Sequence, residues 1–182
     1  MSILAGILYS NEILFQGFID GLVYALIAMG LVLIYKATGV INFAQGAIGT
    51  FGGFVMGMLM VNYGLPYWLA AILAIAASAA VSTVTELLVV RRLFTKPRLL
   101  LFVATLGVAQ LVALIQIWLP SVDERVDYPT PIKGYWEIGG LDILLRGEQV
   151  TVLIVVPFLV IVLGYLLQKT RFGLAVRSAA DN

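Results

Sequence analysis

The sequence predicts an all-α integral membrane protein, on three observations. Its 182 residues are 62% hydrophobic and only 12% charged, and the mean hydropathy is +1.04. A water-soluble domain carries about 25% charged residues, and half of that cannot cover a soluble surface. No Asp, Glu, Lys or Arg occurs from Ala37 to Thr85, a run of 49 residues. A helix needs roughly 20 apolar residues to cross the hydrocarbon core, so this run holds two crossings joined by a turn.

Five spans follow in order. The first covers about 13–35, the second 43–62, the third 67–90, the fourth 99–119 and the fifth 150–168. All lie in a single membrane domain over 1–182. With the amino terminus outside, the inner segments hold Lys36, Arg91, Arg92, Lys96, Arg98, Lys169, Arg171 and Arg177, and the outer ones only Arg125, Lys133 and Arg146. That asymmetry satisfies the positive-inside bias, and the inverted arrangement violates it. Tyr63, Tyr67, Trp68 and Trp118 fall at the expected outer boundary, where amphipathic rings favour the headgroup level. No basic start precedes Lys36, which argues against a cleavable leader.

The one long hydrophilic stretch, 120–149, is expected outside. Within it, "YWEIGGLDI" alternates around Gly139-Gly140, predicting a short β-hairpin lid with a two-residue primed turn.

Several chemistries are excluded by composition. Without Cys or His there is no disulfide, no thiolate nucleophile and no usual general base or neutral metal ligand. Ser78 and Ser82 have no evident base, so an intramembrane enzyme is disfavoured and neither a cofactor nor a metal site is expected. A net charge of +1 offers no basic field for nucleic acid. A phosphate-binding loop is missing too: Gln168 stands where such a loop needs Gly before Lys169-Thr170.

The densest glycine cluster lies in the least polar region, "ATGVINFAQGAIGTFGGF" at 37–54. Gly46, Gly49, Gly53 and Gly57 suit close helix packing, which replaces the hydrophobic incentive that lipid removes. Asn42 and Gln45 are three apart and expected on one helix face at the start of the second span. They either cap the broken turn at Thr38-Gly39 or line a polar path, since non-helical backbone at membrane depth must be packed in protein or face a cavity. Asp20 and Glu86 are the carboxylates inside spans, where ionisable groups are costly. Asp20 is read either as a path residue or as a hydrogen-bond partner of a neighbouring helix, and Glu86 as a partner of Arg91 or an interfacial group. "RRLFTKPR" reads as a basic anchor with a break at Pro97. "AAILAIAASAAVSTVTE" has small residues at helix-contact spacing. The last stretch, 169–182, is either a basic stop-transfer tail or a short amphipathic helix offered to a partner.

Three of these stretches together resemble the branched-chain amino acid type permease subunits of bacterial ATP-binding-cassette importers. "GVINFAQG" at 39–46, with "YALIAMGLVLIY" before it, is similar to the first two helices of that family. "TRFGLAVRSAADN" resembles its cytoplasmic coupling segment, and "IGGLDI" is similar in placement to its outer hairpin. The resemblance implies a permease of the bacterial inner membrane that moves branched-chain amino acids or related small amides. It implies as partners a second permease subunit, cytoplasmic ATPase subunits and an extracytoplasmic binding protein. Asn42, Gln45 and Asp20 then lie near the substrate path, and Arg171, Gly173 and Arg177 in the coupling helix. Ala47 departs from the acid common in the family, and the chain is incomplete relative to it, ending within the coupling segment. The alternative is a channel or ion-coupled carrier for a small polar solute, using the same kink with Asp20 as the coupling carboxylate.

Overall fold

The computed structural model describes residues 2–122, 130–138, 143–170 and 173–174. Its elements are α1 (Ser2–Thr38), α2 (Ala44–Val61), α3 (Tyr67–Thr85), α4 (Arg98–Trp118), β1 (Tyr135–Ile138), β2 (Ile143–Arg146) and α5 (Gly147–Lys169). Beyond α3 the helix runs on through a π-helical segment, Glu86–Val90, and a last turn, Arg91–Leu93. Among the described residues, five helices are long and apolar enough to cross a membrane: Asn11–Lys36, Ala44–Val61, Tyr67–Leu93, Arg98–Trp118 and Gly147–Lys169. The expected five crossings and the hairpin are therefore present. The first helix starts well before Ile13, because the polar residues Ser10, Asn11 and Glu12 interrupt hydropathy without interrupting helical backbone.

The residues divide into two compact units, 31–129 and 1–30 with 130–182. In the first, α2 packs against both α3 and α4. Its core is Ala44, Ile48, Phe51, Val55, Ala74 and Val112, with Ala47, Met56 and Val108 half-buried around it. Most other apolar side chains point outward: Ile72, Ile75, Val103 and Ile117 are all exposed. For helices of this hydropathy such faces suit lipid or further apolar helices.

The close helix contact falls at a different glycine from those expected. A Cβ on Gly52 would collide with the Ser78 hydroxyl of α3, whereas one on Gly46, Gly49 or Gly53 would meet nothing within 4 Å. Gly57 is buried. The physical reason is angular: Ile48, Phe51 and Val55 face the core, and Gly52 shares their side of α2 while Gly46, Gly49 and Gly53 are exposed. Ser78 Oγ donates to Ile48 O at 3.3 Å, so a hydroxyl occupies the space the missing side chain leaves.

In the second unit, β1 and β2 pair antiparallel with Ile138 opposite Ile143. The turn expected at Gly139-Gly140 lies outside the described residues. Register is pinned at the other end of the ladder. Gly147 N–H donates to Gly134 O at 3.2 Å, and a Cβ on Gly147 would overlap the Ile132 carbonyl. Only glycine permits that approach, so the ladder extends until Arg146 opposes Tyr135.

Candidate functional site

The break between α1 and α2 is built from its own side chains. Gly39 adopts φ 70, the left-handed conformation in which helices end on glycine, and its N–H donates to Tyr35 O at 2.7 Å. Thr38 Oγ1 donates to Ile34 O at 2.8 Å and accepts from Val40 N–H at 3.4 Å. Asn42 Oδ1 accepts from Ala44 N–H at 3.0 Å, so the amide caps the opening of α2.

Asn42 therefore precedes the helix and does not share a helix face with Gln45. The reason lies in α4: Thr105 Oγ1 accepts the Phe43 N–H at 3.4 Å, which holds that residue out of the helical ladder. Thr105 is 1% exposed, and its hydroxyl in turn donates to Phe102 O at 2.9 Å. The rings of Phe43 and Phe102 stack edge to face at 4.7 Å. The void at this junction, lined by Thr38, Asn42, Glu86 and Thr105, is about 10 Å³. That is the size of one water sphere, so the Asn42 loop is closely packed at this junction.

Gln45 is different. Its Oε1 is buried and has no hydrogen-bond partner among the described residues, a state that costs free energy until a donor arrives. Further along the chain, Gly49, Gly52 and Gly53 of α2 with Ala74, Ser78 and Ser82 of α3 line a separate groove of about 520 Å³.

Asp20, in the other unit, is exposed and accepts from Gln16 Nε2 at 3.1 Å. Gln16 Oε1 accepts from Gln149 Nε2 at 2.7 Å, and Gln149 Oε1 accepts the Arg146 N–H at 2.9 Å. The three side chains form one directed chain from a carboxylate on α1 to the corner where β2 meets α5. Glu12, Gln16, Arg146 and Glu148 border a cavity of about 460 Å³ beside it. Arg146 and Glu148 pair at 3.8 Å with both side chains more than half exposed, an interaction of little energy. No ion pair joins Glu86 to Arg91 among the described residues; instead the Arg91 N–H bonds back to Glu86 O in the π turn.

After α5 the chain turns sharply at Thr170. Gly173 N–H donates to Thr170 Oγ1 at 3.2 Å and Leu174 N–H to Thr170 O at 3.1 Å, so Thr170 caps a new helical turn. A Cβ on Gly173 would clash with the Leu166 and Leu167 carbonyls. Arg171 and Arg177 lie outside the described residues.

Reasoning from sequence missed Thr105, the π turn and the Gln16–Gln149 bond, and had Gly52 within the glycine cluster without singling it out as the contact. A lone threonine in an apolar span was the available sign for the first; the others leave no local mark.

The family described as branched-chain amino acid transport system / permease component matches residues 13–182. The chain is 26% identical over 186 residues to the high-affinity branched-chain amino acid transport system permease protein LivH of Salmonella typhimurium, covering 96% of this chain and 60% of that protein. The protein of the same name from Escherichia coli K12 is 25% identical with the same coverage. The "Probable branched-chain amino acid transport permease protein LivH" of Methanocaldococcus jannaschii is 29% identical over 164 residues, 86% of this chain and 50% of that protein. The chain thus spans about 60% of the length of the first of these relatives. No solved structure matches it.

Proposed function

The chain belongs to the family of branched-chain amino acid transport permease components, a multi-pass membrane protein and a transporter, and on that premise we propose that it is the permease subunit of an ATP-driven importer. Its cargo is branched-chain amino acids or related small amides. It sits in the bacterial inner membrane with its amino terminus outside, beside a second permease subunit. An extracytoplasmic binding protein docks on the outer hairpin, and ATPase subunits engage the residues after Thr170.

The observation that carries this reading is the pairing of two features. A backbone break lies between two crossings, and next to it is a buried amide oxygen on Gln45 awaiting a donor. The ammonium or amide N–H of a small solute supplies that donor, so Gln45 is assigned to the path and Asn42 to holding the loop in shape. Asp20, already bonded to Gln16, is assigned to the outer rim. The Thr170 corner supports the coupling role: it redirects the chain out of α5 within a few residues, and Gly173 fits it because no side chain does. Arg171 and Arg177, near Thr170 in the sequence, are assigned to the basic contacts with the ATPase.

Uptake of labelled leucine into vesicles with the companion ATPase and binding protein tests this. Gly173→Val is expected to abolish uptake and the uptake-linked ATP hydrolysis while membrane insertion is unchanged. Uptake that persists without ATP and collapses with the ion gradient favours the carrier reading instead.

A further inference from the structure

A second cleft lies at the foot of α1 and α4, within the unit 31–129. Its volume is about 400 Å³, and it is lined by Tyr35, Gly39, Ile41, Arg98, Leu99 and Phe102 among others. Lys36 is the last residue of one apolar crossing and Arg98 the first of another, so the cleft sits at the boundary where hydrocarbon gives way to headgroups. Its walls are exposed apolar groups: Ile41, Leu99 and Phe102 are 40%, 73% and 38% exposed. At its rim stands Arg98, which has no ion pair among the described residues. The surroundings do not neutralise it. Between 31 and 98 there are five cations, Lys36, Arg91, Arg92, Lys96 and Arg98, against one carboxylate, Glu86, and Glu86 borders the other, smaller void.

We propose that this cleft binds an anionic phospholipid, with the phosphate on Arg98 and one acyl chain along Leu99, Phe102 and Ile41. Arginine's planar fork matches phosphate oxygens. At the start of α4, a helix of 21 residues, Leu100 N–H is taken by Pro97 O at 2.9 Å, while the Arg98 and Leu99 N–H groups have no acceptor within the helix, and this end of the helix favours negative charge. Tyr35 lies at the level that aromatic rings take at the interface. Gly39, held at φ 70, leaves the mouth open where a side chain would narrow it. Both halves of a lipid are thus matched: a cationic rim for the head and an apolar wall for the tail. Neither a free anion nor an apolar helix uses both. The proposal rests on the membrane-spanning helices and not on the identity of the cargo.

Native mass spectrometry of the full detergent-solubilised chain, titrated with phosphatidylglycerol and with phosphatidylcholine of the same acyl chains, tests it. Wild type is expected to retain phosphatidylglycerol about fivefold more tightly, the gain of one cationic contact near a charged lipid surface. Arg98→Gln should erase the preference, Arg98→Lys should keep most of it, and Lys96→Gln, two residues away and outside the cleft, should leave it unchanged. Leu99→Asp places a carboxylate in the cleft one residue from the end of the crossing, where it reaches the interface, and in the membrane-inserted fraction should give the same loss as Arg98→Gln. Equal losses for Arg98→Gln and Lys96→Gln would mean a diffuse basic field and overturn the proposal. Displacement of the lipid by millimolar inorganic phosphate, or no preference in wild type, would overturn it as well.

Discussion

Thr105 ties the α1–α2 break to α4 through a single hydroxyl. It accepts the Phe43 N–H and donates to Phe102 O, so it satisfies one backbone group of the loop while remaining bonded within its own helix. Thr105→Val keeps the shape and removes the oxygen, leaving the Phe43 N–H without its partner. Losing a part-buried hydrogen bond of this kind costs about 0.5–1.5 kcal/mol. Thermal unfolding in detergent should show that loss, and Thr105→Ser should recover most of it. Gly39 was readable in advance because a glycine after a long apolar run is how helices stop. Thr105 was not, because a threonine in a span is commonly bonded to its own preceding turn, and only its position 62 residues away from Phe43 gives it a second task. Gly52 was hidden among its neighbours for a related reason. Spacing identifies a glycine-rich helix, but which glycine meets another helix depends on the rotation of α2 against α3.

At the scale of elements, hydropathy alone located the five helices long and apolar enough to cross among the described residues, since an apolar run of this length has few alternatives in a membrane. The π turn at Glu86–Val90 carried no such mark: it adds one residue to a turn without changing composition, and such turns cluster at functional sites. The hairpin was legible from its alternation, but its register was not, being fixed by the Gly147 contact outside the strands. Gln149 joins these elements. Its oxygen caps the Arg146 N–H and its nitrogen reaches Gln16. Gln149→Ala removes both bonds and should destabilise the corner by about 1 kcal/mol, a typical cap. Gln149→Glu keeps the acceptor, loses the donor and should cost less. Limited trypsin digestion at Lys133 and Arg146 reads this as faster cleavage, in the order alanine, glutamate, wild type.

For the whole molecule, charge placement does what no single helix can: it orients the protein. Eight basic residues fall in the segments assigned inside and three in those assigned outside, and the juxtamembrane bias, not total charge, decides direction. In the proposed orientation the Thr170 corner is on the inner side and the hairpin on the outer. The chain contains no cysteine, so each position can be mapped with one introduced thiol and a membrane-impermeant maleimide on intact cells. Gly140→Cys, in the hairpin loop, should label at once, and Ala180→Cys, in the tail, only after the cells are permeabilised. Labelling of Ala180→Cys in intact cells, with Gly140→Cys protected, would contradict the account.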